Sequence, residues 1–356
     1  MQSAVGQRVV ISALGKTPME AIEQFAELVD QDRPVPGPRD VVIRVASAAV
    51  GWVDLIMAAG QYQHVPQPPY TPGLEYAGTV EAAGSEAGVE VGARVLVDPF
   101  LAGPRSSGAY RGFGGFATYA VAPAEAIHPI PGALTFDQAC NLLGNYETAY
   151  HCLIARGRLA AGETVLIHGA TGSVGLAAVH VAKLVGATVI ATGRSADKLA
   201  VVKAQGADHV ITTEHLRDTV KGLTAGKGVD VVYDGVGGQL SVDSLRCVTF
   251  GARFLIVGWA ATPGHVNQLP TNLIMMKGLD VLGCPTVIST VNDPSIRAAR
   301  LAQVLAWATD GQLVPHVARA YPLAEFKTAL EAKWRGTYAG GIVLHNVEAS
   351  SANSVS

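Results

Sequence analysis

Charged residues are scarce in this chain of 356 residues: Asp, Glu, Lys and Arg together make up 15%, and the net charge is −3. The chain has no dense run of lysine or arginine, so it lacks the electrostatic signature of a nucleic-acid-binding protein. No apolar run approaches the ~20 residues of a membrane-spanning helix. The first residues, 1–8, lack the basic-then-apolar pattern of a secretory signal. These absences predict a small-molecule partner, with neither nucleic acid nor membrane.

Cysteine is rare as well, with Cys140, Cys152, Cys247 and Cys284 scattered along the chain. None lies close enough to another to form a zinc finger or a zinc ribbon. A chain of this length with so few cysteines is also unlike the disulfide frameworks of small secreted domains. The pattern predicts buried, reduced thiols in a cytoplasmic protein.

Glycine is abundant, and three glycines fall in the stretch HGATGSVGLAAVHVAK at residues 168–183. The run before it, 164–167, is typical of a buried parallel strand, and apolar residues at helical spacing follow it. The glycines therefore lie on a strand-to-helix turn, where backbone N–H groups can receive a phosphate. Tight helix–strand packing without a nucleotide is the alternative. The predicted cofactor contacts in this turn are Gly169, Thr171, Gly172, Ser173, Val174 and Gly175.

Three regions of the chain differ in their pattern of strands, helices and turns. Residues 1–144 contain short strands with turns, which predicts an irregular, barrel-like β domain with one helix at 18–28. Residues 145–290 alternate strands and helices, which predicts a doubly wound parallel sheet and therefore an α/β protein. Residues 291–356 are expected to return to the first domain and to end in a disordered tail. The predicted parallel strands are 164–168, 187–192, 208–211, 229–233, 252–257 and 279–282.

The end of the second parallel strand indicates which dinucleotide is bound. An acidic residue there would accept the ribose hydroxyls of NAD, but this strand runs into Thr192-Gly193-Arg194-Ser195. Arg194 and Lys198 are one helical turn apart, with the Ser195 hydroxyl between them, and such cations attract a 2′-phosphate. Asp197 is explained as an early helix residue that complements the helix dipole. The sequence therefore predicts NADPH, with two solvated surface cations as the alternative.

Three stretches in order carry a family resemblance: HGATGSVGLAAVHVAKLVGA, GVDVVYDGVGG at 228–238 and PGLEYAGTVEAAG at 72–84. They resemble the medium-chain dehydrogenase/reductase superfamily, and within it the zinc-independent quinone oxidoreductase and enoyl reductase branch. The resemblance implies a GroES-like β-barrel catalytic domain, a Rossmann domain that carries NADPH, and an active site in the cleft between them. It also implies a homodimer formed through the edge strand at 279–282.

Zinc-dependent members of this superfamily carry cysteine and histidine ligands at positions occupied here by Gly51 and Leu74. Neither side chain can bind a metal, and the stretch LLGNYETAY offers no ligand before His151. The resemblance therefore implies a reductase with no metal. Relatives usually have asparagine at the position of Gly51, so this glycine and the adjacent Trp52 indicate a more apolar pocket.

The resemblance also implies roles for single residues. Tyr62 matches the proposed proton donor of enoyl reductases, with an aromatic pocket wall as the alternative role. Asn145 is a candidate catalytic amide, with helix-start capping as the alternative. Thr148 matches a threonine near the nicotinamide, Arg335 matches an arginine that reaches the 2′-phosphate, and Gly258 is a further candidate cofactor contact.

Without a metal, the expected chemistry is hydride transfer from NADPH to a quinone or to the activated C=C bond of an α,β-unsaturated carbonyl compound. The negative charge that develops on the conjugated oxygen then requires a hydrogen-bond donor. Two alternatives stay open. One is reduction of an enoyl thioester such as an enoyl-CoA or acryloyl-CoA, and the other is a non-catalytic NADPH-binding sensor or structural protein.

Overall fold

The computed structural model describes residues 6–106, 108–260 and 266–346, and the chain divides into two compact units. The first unit comprises Met1–Gly144 and Ala308–Ser356, and the second comprises Asn145–Trp307. The tail at 348–356, expected to be disordered, lies outside the described residues. Within the described ranges, no helix has both the length and the apolar character needed to span a membrane.

The six parallel strands predicted between residues 164 and 282 are present, with different bounds in places. The strands are β1 (Gly6–Ile11), β2 (Ala26–Gln31), β3 (Asp40–Ala49), β4 (Glu75–Ala83), β5 (Arg94–Val97), β6 (Tyr119–Pro123), β7 (Ile127–Pro129), β8 (Thr164–Ile167), β9 (Thr188–Gly193), β10 (His209–Thr212), β11 (Val229–Asp234), β12 (Val248–Ile256), β13 (Asp280–Gly283), β14 (Val317–Pro322) and β15 (Gly341–His345). The helices are α1 (Pro18–Gln24), α2 (Trp52–Ala58), α3 (Phe136–Ala139), α4 (Leu143–Tyr150), α5 (Ser173–Val185), α6 (Ala196–Ala204), α7 (Leu216–Leu223), α8 (Gln239–Ser244), α9 (Thr271–Lys277), α10 (Thr286–Asn292), α11 (Ser295–Thr309) and α12 (Phe326–Arg335). A π-helical segment, His151–Arg156, continues α4.

The first unit is organised around β3. One edge of β3 pairs antiparallel with β4, while its other edge pairs with β6 at Asp40–Arg44 and with β15 at Ser47–Ala49. Because β3 changes partner along its length, the sheet curves around a buried apolar core, as the barrel-like prediction requires. Chain segments distant in sequence contribute to that core, including Val9, Val41, Tyr76, Phe116 and Phe326.

Helix α1 is shorter than predicted. Its start is correct, because the backbone N–H of Glu20 donates a hydrogen bond to the Thr17 hydroxyl, which caps the helix. Its predicted end at residue 28 is wrong, because α1 ends at Gln24 and β2 begins at Ala26. Residues 26–28 form a strand instead, because β2 pairs with β1 along its whole length.

The second unit contains a six-stranded parallel sheet in the order β10-β9-β8-β11-β12-β13. The predicted doubly wound sheet is therefore confirmed, with the strand order reversing between β8 and β11. Val165, Leu166 and Ile167 of β8 are fully buried, as expected for a central strand covered by helices on both faces. Ligands of such sheets bind at the carboxyl ends of the strands, at this point of reversal.

The chain returns to the first unit at Ala308, later than the predicted residue 291, because α11 is held within the second unit. The Glu147 carboxylate on α4 accepts hydrogen bonds from Arg297 Nη2 at 2.8 Å and from Arg300 Nε at 2.9 Å, both on α11. Arg300 also donates to the Thr290 hydroxyl at 2.7 Å. These buried polar contacts join α11 to α4.

Candidate functional site

The glycine-rich turn lies at the carboxyl end of β8, as predicted. Gly169 has a φ of +66°, a conformation that favours glycine, and it reverses the chain after the strand. The backbone N–H of Gly172 then donates to the Gly169 carbonyl oxygen at 3.0 Å, and α5 begins at Ser173. A helix start points backbone N–H groups outward, and the first turn of α5 contains no acidic side chain that would repel an anion.

The other two glycines of this turn serve different purposes. A Cβ on Gly175 would lie 2.2 Å from the Gly169 carbonyl oxygen, so packing of α5 against the turn requires glycine there. Gly172 has a φ of −80°, and the nearest atom to an added Cβ would be 3.5 Å away, so neither strain nor internal packing requires glycine. Gly172 is the N-cap of α5, a position where glycine is common, and the space beside it is open. The turn therefore fits a dinucleotide.

The remaining predicted contacts in the turn are placed around Gly172. Gly172 is exposed, whereas Thr171, Ser173 and Val174 are half-buried. Gly258 follows β12 and donates its backbone N–H to the Asp234 carbonyl oxygen at 3.2 Å. Since β8, β11 and β12 are neighbours in the sheet, Gly258 lies at the same carboxyl edge as the turn.

The end of β9 presents the predicted cationic group. Arg194 is exposed and makes no hydrogen bond or ion pair to any residue in the described ranges. Ser195 caps α6, because its hydroxyl accepts from the Lys198 backbone N–H at 3.5 Å, and Lys198 is half-buried. Asp197 is exposed in the first turn of α6, where it complements the helix dipole as expected. No carboxylate stands at the last residue of β9, Gly193.

Arg335 belongs to the first unit, on α12. It is 71% exposed and forms an ion pair with Glu331 one helical turn away, with 2.6 Å between Nη2 and Oε1. An exposed pair of this kind contributes little to stability, so the guanidinium is readily released to another anion. A role of Arg335 at the 2′-phosphate stays a prediction.

Asn145 and Thr148 lie on α4. Asn145 is buried and occupies the third position of the helix, which begins at Leu143, so both a catalytic role and helix-start capping stay predictions. Thr148 is half-buried one turn later. Glu147, which sequence reasoning missed, lies between them and anchors α4 to α11 through its two arginine partners. Its only sequence signal is that it is the one acidic residue of α4.

The two positions that hold zinc ligands in zinc-dependent relatives lie together in the first unit, joined by Asp54. The Asp54 carboxylate accepts backbone N–H groups from Gly51 at 2.9 Å, Gly73 at 3.0 Å and Leu74 at 3.2 Å. Burial raises the pKa of Asp54 to about 6, against the opposing effect of these hydrogen bonds and of Arg105. No group of three or more His, Cys, Asp or Glu residues in the described part of the chain is placed to hold a metal.

Tyr62 packs against the core of the first unit and is half-buried. Its ring lies edge-on to that of His64, with 6.0 Å between centroids, and its phenol forms no hydrogen bond with the residues that the structure describes. Trp52, expected to make the pocket more apolar, stacks on Trp334 with a centroid distance of 5.1 Å. The phenol of Tyr62 is therefore not committed to a structural hydrogen bond, as a proton donor requires.

Two family models match this chain. The model described as "Alcohol dehydrogenase GroES-like domain" matches residues 37–132, and the one described as "Zinc-binding dehydrogenase" matches residues 173–299. The chain is 32% identical to the quinone oxidoreductase-like protein 2 homolog of Nematostella vectensis, over 87% of this chain and 82% of that protein. It is 30% identical to the quinone oxidoreductase of Homo sapiens, over 86% of this chain and 89% of that protein.

Solved structures resemble this one over nearly the whole chain. A mycobacterial protein complexed with NADPH has a TM-score of 0.78 and 27% identity, covering 96% of this chain and 99% of that chain. The quinone oxidoreductase from Thermus thermophilus, solved alone and with NADPH, has a TM-score of 0.75 and 26% identity, covering 95% and 99%. The first unit therefore has a GroES-like relative at 37–132, and both units have counterparts in oxidoreductases.

Proposed function

Because this chain belongs to the medium-chain dehydrogenase/reductase superfamily, and within it to the zinc-independent quinone oxidoreductase branch, we propose that it is an NADPH-dependent reductase. Its substrate would be a quinone or an α,β-unsaturated carbonyl compound with an activated C=C bond. The observation that supports a bound dinucleotide is the open space beside Gly172 at the start of α5, where the nearest atom to an added Cβ would be 3.5 Å away.

NADPH supplies a hydride when bound. The chain would hold its diphosphate at the Gly169–Gly175 turn, where the backbone at the start of α5 favours an anion. Arg194, Ser195 and Lys198 would surround the 2′-phosphate, supported by the unpartnered, exposed guanidinium of Arg194 and by the absence of a carboxylate at Gly193. Arg335 would add a second guanidinium, as the family resemblance implies.

On the substrate side, the charge that develops on the conjugated oxygen must be stabilised by side chains, since Gly51 and Leu74 provide no metal ligand. The Tyr62 phenol would donate a hydrogen bond, and then a proton, to this oxygen. Asn145 and Thr148 would face the nicotinamide from α4. Asn145 is buried in the first turn of α4, and Thr148 lies one turn further along the same helix.

The test of this function is NADPH oxidation with a panel of quinones, enones, enals and enoyl-CoA esters. We expect turnover with a quinone or an enone and none with saturated analogues. Faster turnover of enoyl-CoA esters would assign the thioester alternative. Tight NADPH binding with no oxidation by any acceptor would identify a non-catalytic NADPH-binding protein and contradict the proposal.

The first prediction concerns the preference of the protein for NADPH over NADH. We expect kcat/KM for NADPH to exceed that for NADH at least tenfold, which is about 1.4 kcal/mol. The double variant Arg194→Ala, Lys198→Ala should reduce this preference, chiefly by raising KM for NADPH, because it removes the charges next to the 2′-phosphate. Initial rates with both cofactors measure the effect.

The matched control for this variant is Lys227→Ala, Arg246→Ala. It removes the same charge from two exposed residues that precede β11 and β12, at the opposite edge of the same sheet. The control should keep the preference for NADPH. Equal use of both cofactors by the unaltered protein would contradict the cofactor assignment.

We also propose a homodimer, joined through β13 of two copies. Strand β13 is the edge of its sheet and pairs only with β12 among the described strands, which leaves one side open to another strand. Next to it, Phe250 and Met275 are 81% and 73% exposed, and such apolar groups favour burial by a partner.

Light scattering should give twice the chain mass of 36.9 kDa, and Leu282→Lys should shift the measured mass toward that of the monomer. A mass near 37 kDa for the unaltered protein at micromolar concentration would contradict the dimer.

The cysteines support a cytoplasmic location as part of the proposal. Cys140, Cys152, Cys247 and Cys284 are all buried and free. Free thiols persist in a reducing compartment, which is what the cytoplasm provides.

A further inference from the structure

His168 is a buried histidine at the carboxyl end of β8, directly before Gly169. Only 1% of its surface is exposed. Its Nδ1 lies 2.8 Å from the Thr192 hydroxyl on β9, and its Nε2 lies 2.7 Å from the Ser244 hydroxyl on α8. A buried imidazole with both nitrogens bonded is costly to replace, and nothing in the proposed reaction uses it.

The direction of each hydrogen bond follows from the donors present. The Ser244 hydroxyl donates to the Leu240 carbonyl oxygen at 2.7 Å, so its oxygen accepts from His168 Nε2–H. Burial lowers the pKa of His168 to about 4, so the ring is neutral and its Nδ1 is an acceptor. Nδ1 therefore receives the hydrogen of the Thr192 hydroxyl. Each donor hydrogen in this series of three hydrogen bonds, from the Thr192 hydroxyl to the Leu240 carbonyl oxygen, is therefore used once.

This chain of hydrogen bonds joins the segments that would hold the two ends of the cofactor. His168 directly follows β8 and is followed by the Gly169–Gly175 turn, which would hold the diphosphate. On β9, Thr192 is followed by Gly193 and Arg194, which would meet the 2′-phosphate. The imidazole is thus a rigid spacer between the backbone of one phosphate site and the backbone of the other.

We propose that His168 is a positioning residue for cofactor selectivity, which acts by fixing the end of β9, and with it Arg194, relative to the glycine turn. This inference rests on the proposed NADPH-dependent function. NADPH carries a diphosphate and a 2′-phosphate, and the distance between them must match the distance between their two sites on the protein. NADH lacks the 2′-phosphate, so its binding does not depend on that distance. Loosening the Thr192–His168 bond therefore weakens NADPH binding more than NADH binding.

The experiment measures the Kd of NADPH and of NADH by titration calorimetry for the unaltered protein and for Thr192→Val, which removes the hydroxyl with little change in shape. We expect the Kd of NADPH to rise about tenfold, or about 1.4 kcal/mol, while the Kd of NADH changes by less than about threefold. Thr192→Ser, which keeps the hydroxyl, should restore NADPH binding.

Thr290→Val is the matched control. It also removes a buried threonine hydroxyl that bonds a basic side chain of the second unit, here Arg300. It should leave the ratio of the two Kd values unchanged. Equal weakening of both cofactors by Thr192→Val, or a matching change of the ratio in Thr290→Val, would overturn the inference and leave the proposed function intact. Equal Kd values in the unaltered protein would instead contradict the NADPH assignment, and the inference with it.

Discussion

Glu147→Gln should lower the free energy of unfolding of the second unit by about 3–5 kcal/mol, the usual cost of breaking a buried ion pair on one side. Glu147 and Arg300 are each 2% exposed at the side chain, and Arg297 shares the same carboxylate. A neutral amide leaves two guanidinium groups next to each other without a counter-charge, in a region from which water is excluded. Urea unfolding measures the loss, and hydrogen exchange in α4 and α11 assigns it to the second unit.

Glu86→Gln provides the control for Glu147→Gln. Glu86 forms an ion pair with Arg39 in the first unit, but both side chains are more than half exposed. Water screens such a pair, so its loss should cost no more than about 1 kcal/mol. If Glu147→Gln costs as little as Glu86→Gln, the buried network does not hold α11 to α4.

Tyr62→Phe should reduce kcat for enone reduction ~10²-fold, about 2.7 kcal/mol, with little change in KM. The reason is that phenylalanine keeps the ring packed against the core of the first unit and removes only the group that donates to the developing enolate oxygen. Quinones accept hydride readily and depend less on an acid, so quinone turnover in the same preparation should fall much less. Steady-state kinetics with one enone and one quinone measure both effects.

Tyr321→Phe is the control for the loss of a phenol elsewhere in the first unit. The Tyr321 hydroxyl bonds that of Tyr338 at 3.1 Å, on strand β14 at the end of the sheet. Its removal should leave both activities within about threefold, as expected for a group that makes no transition-state contact. A uniform, small effect of Tyr62→Phe on every substrate would assign protonation to solvent and Tyr62 to packing.

The local sequence was sufficient to predict those features whose physical cause lies within one short segment. The run 164–167 is apolar and β-branched, and the glycines after it permit a turn, so strand, turn and helix were predictable from residues in contact along the chain. The same holds for the cations after β9, because the last residue of a strand is adjacent to the loop that follows. The missing side-chain ligands at Gly51 and Leu74 were also visible without any structure.

The sequence was less informative where a segment had two local solutions. The pattern at 18–28 favours a helix, but pairing with β1 makes a strand from Ala26 onward. The return of the chain at Ala308 likewise depends on α11, whose place in the second unit is set by a carboxylate on α4 rather than by its own periodicity. In both cases a long-range contact outweighs the local preference.

The tertiary structure alone decided which buried polar groups meet. His168 bonds residues that lie 24 and 76 positions further along the chain, and Glu147 bonds arginines that are 150 and 153 positions away. A buried imidazole or carboxylate must find a partner, because desolvation without one is costly, but that rule does not specify which partner. Only the packing of β8 beside β9, and of α4 against α11, brings those particular donors and acceptors within 3 Å of each other.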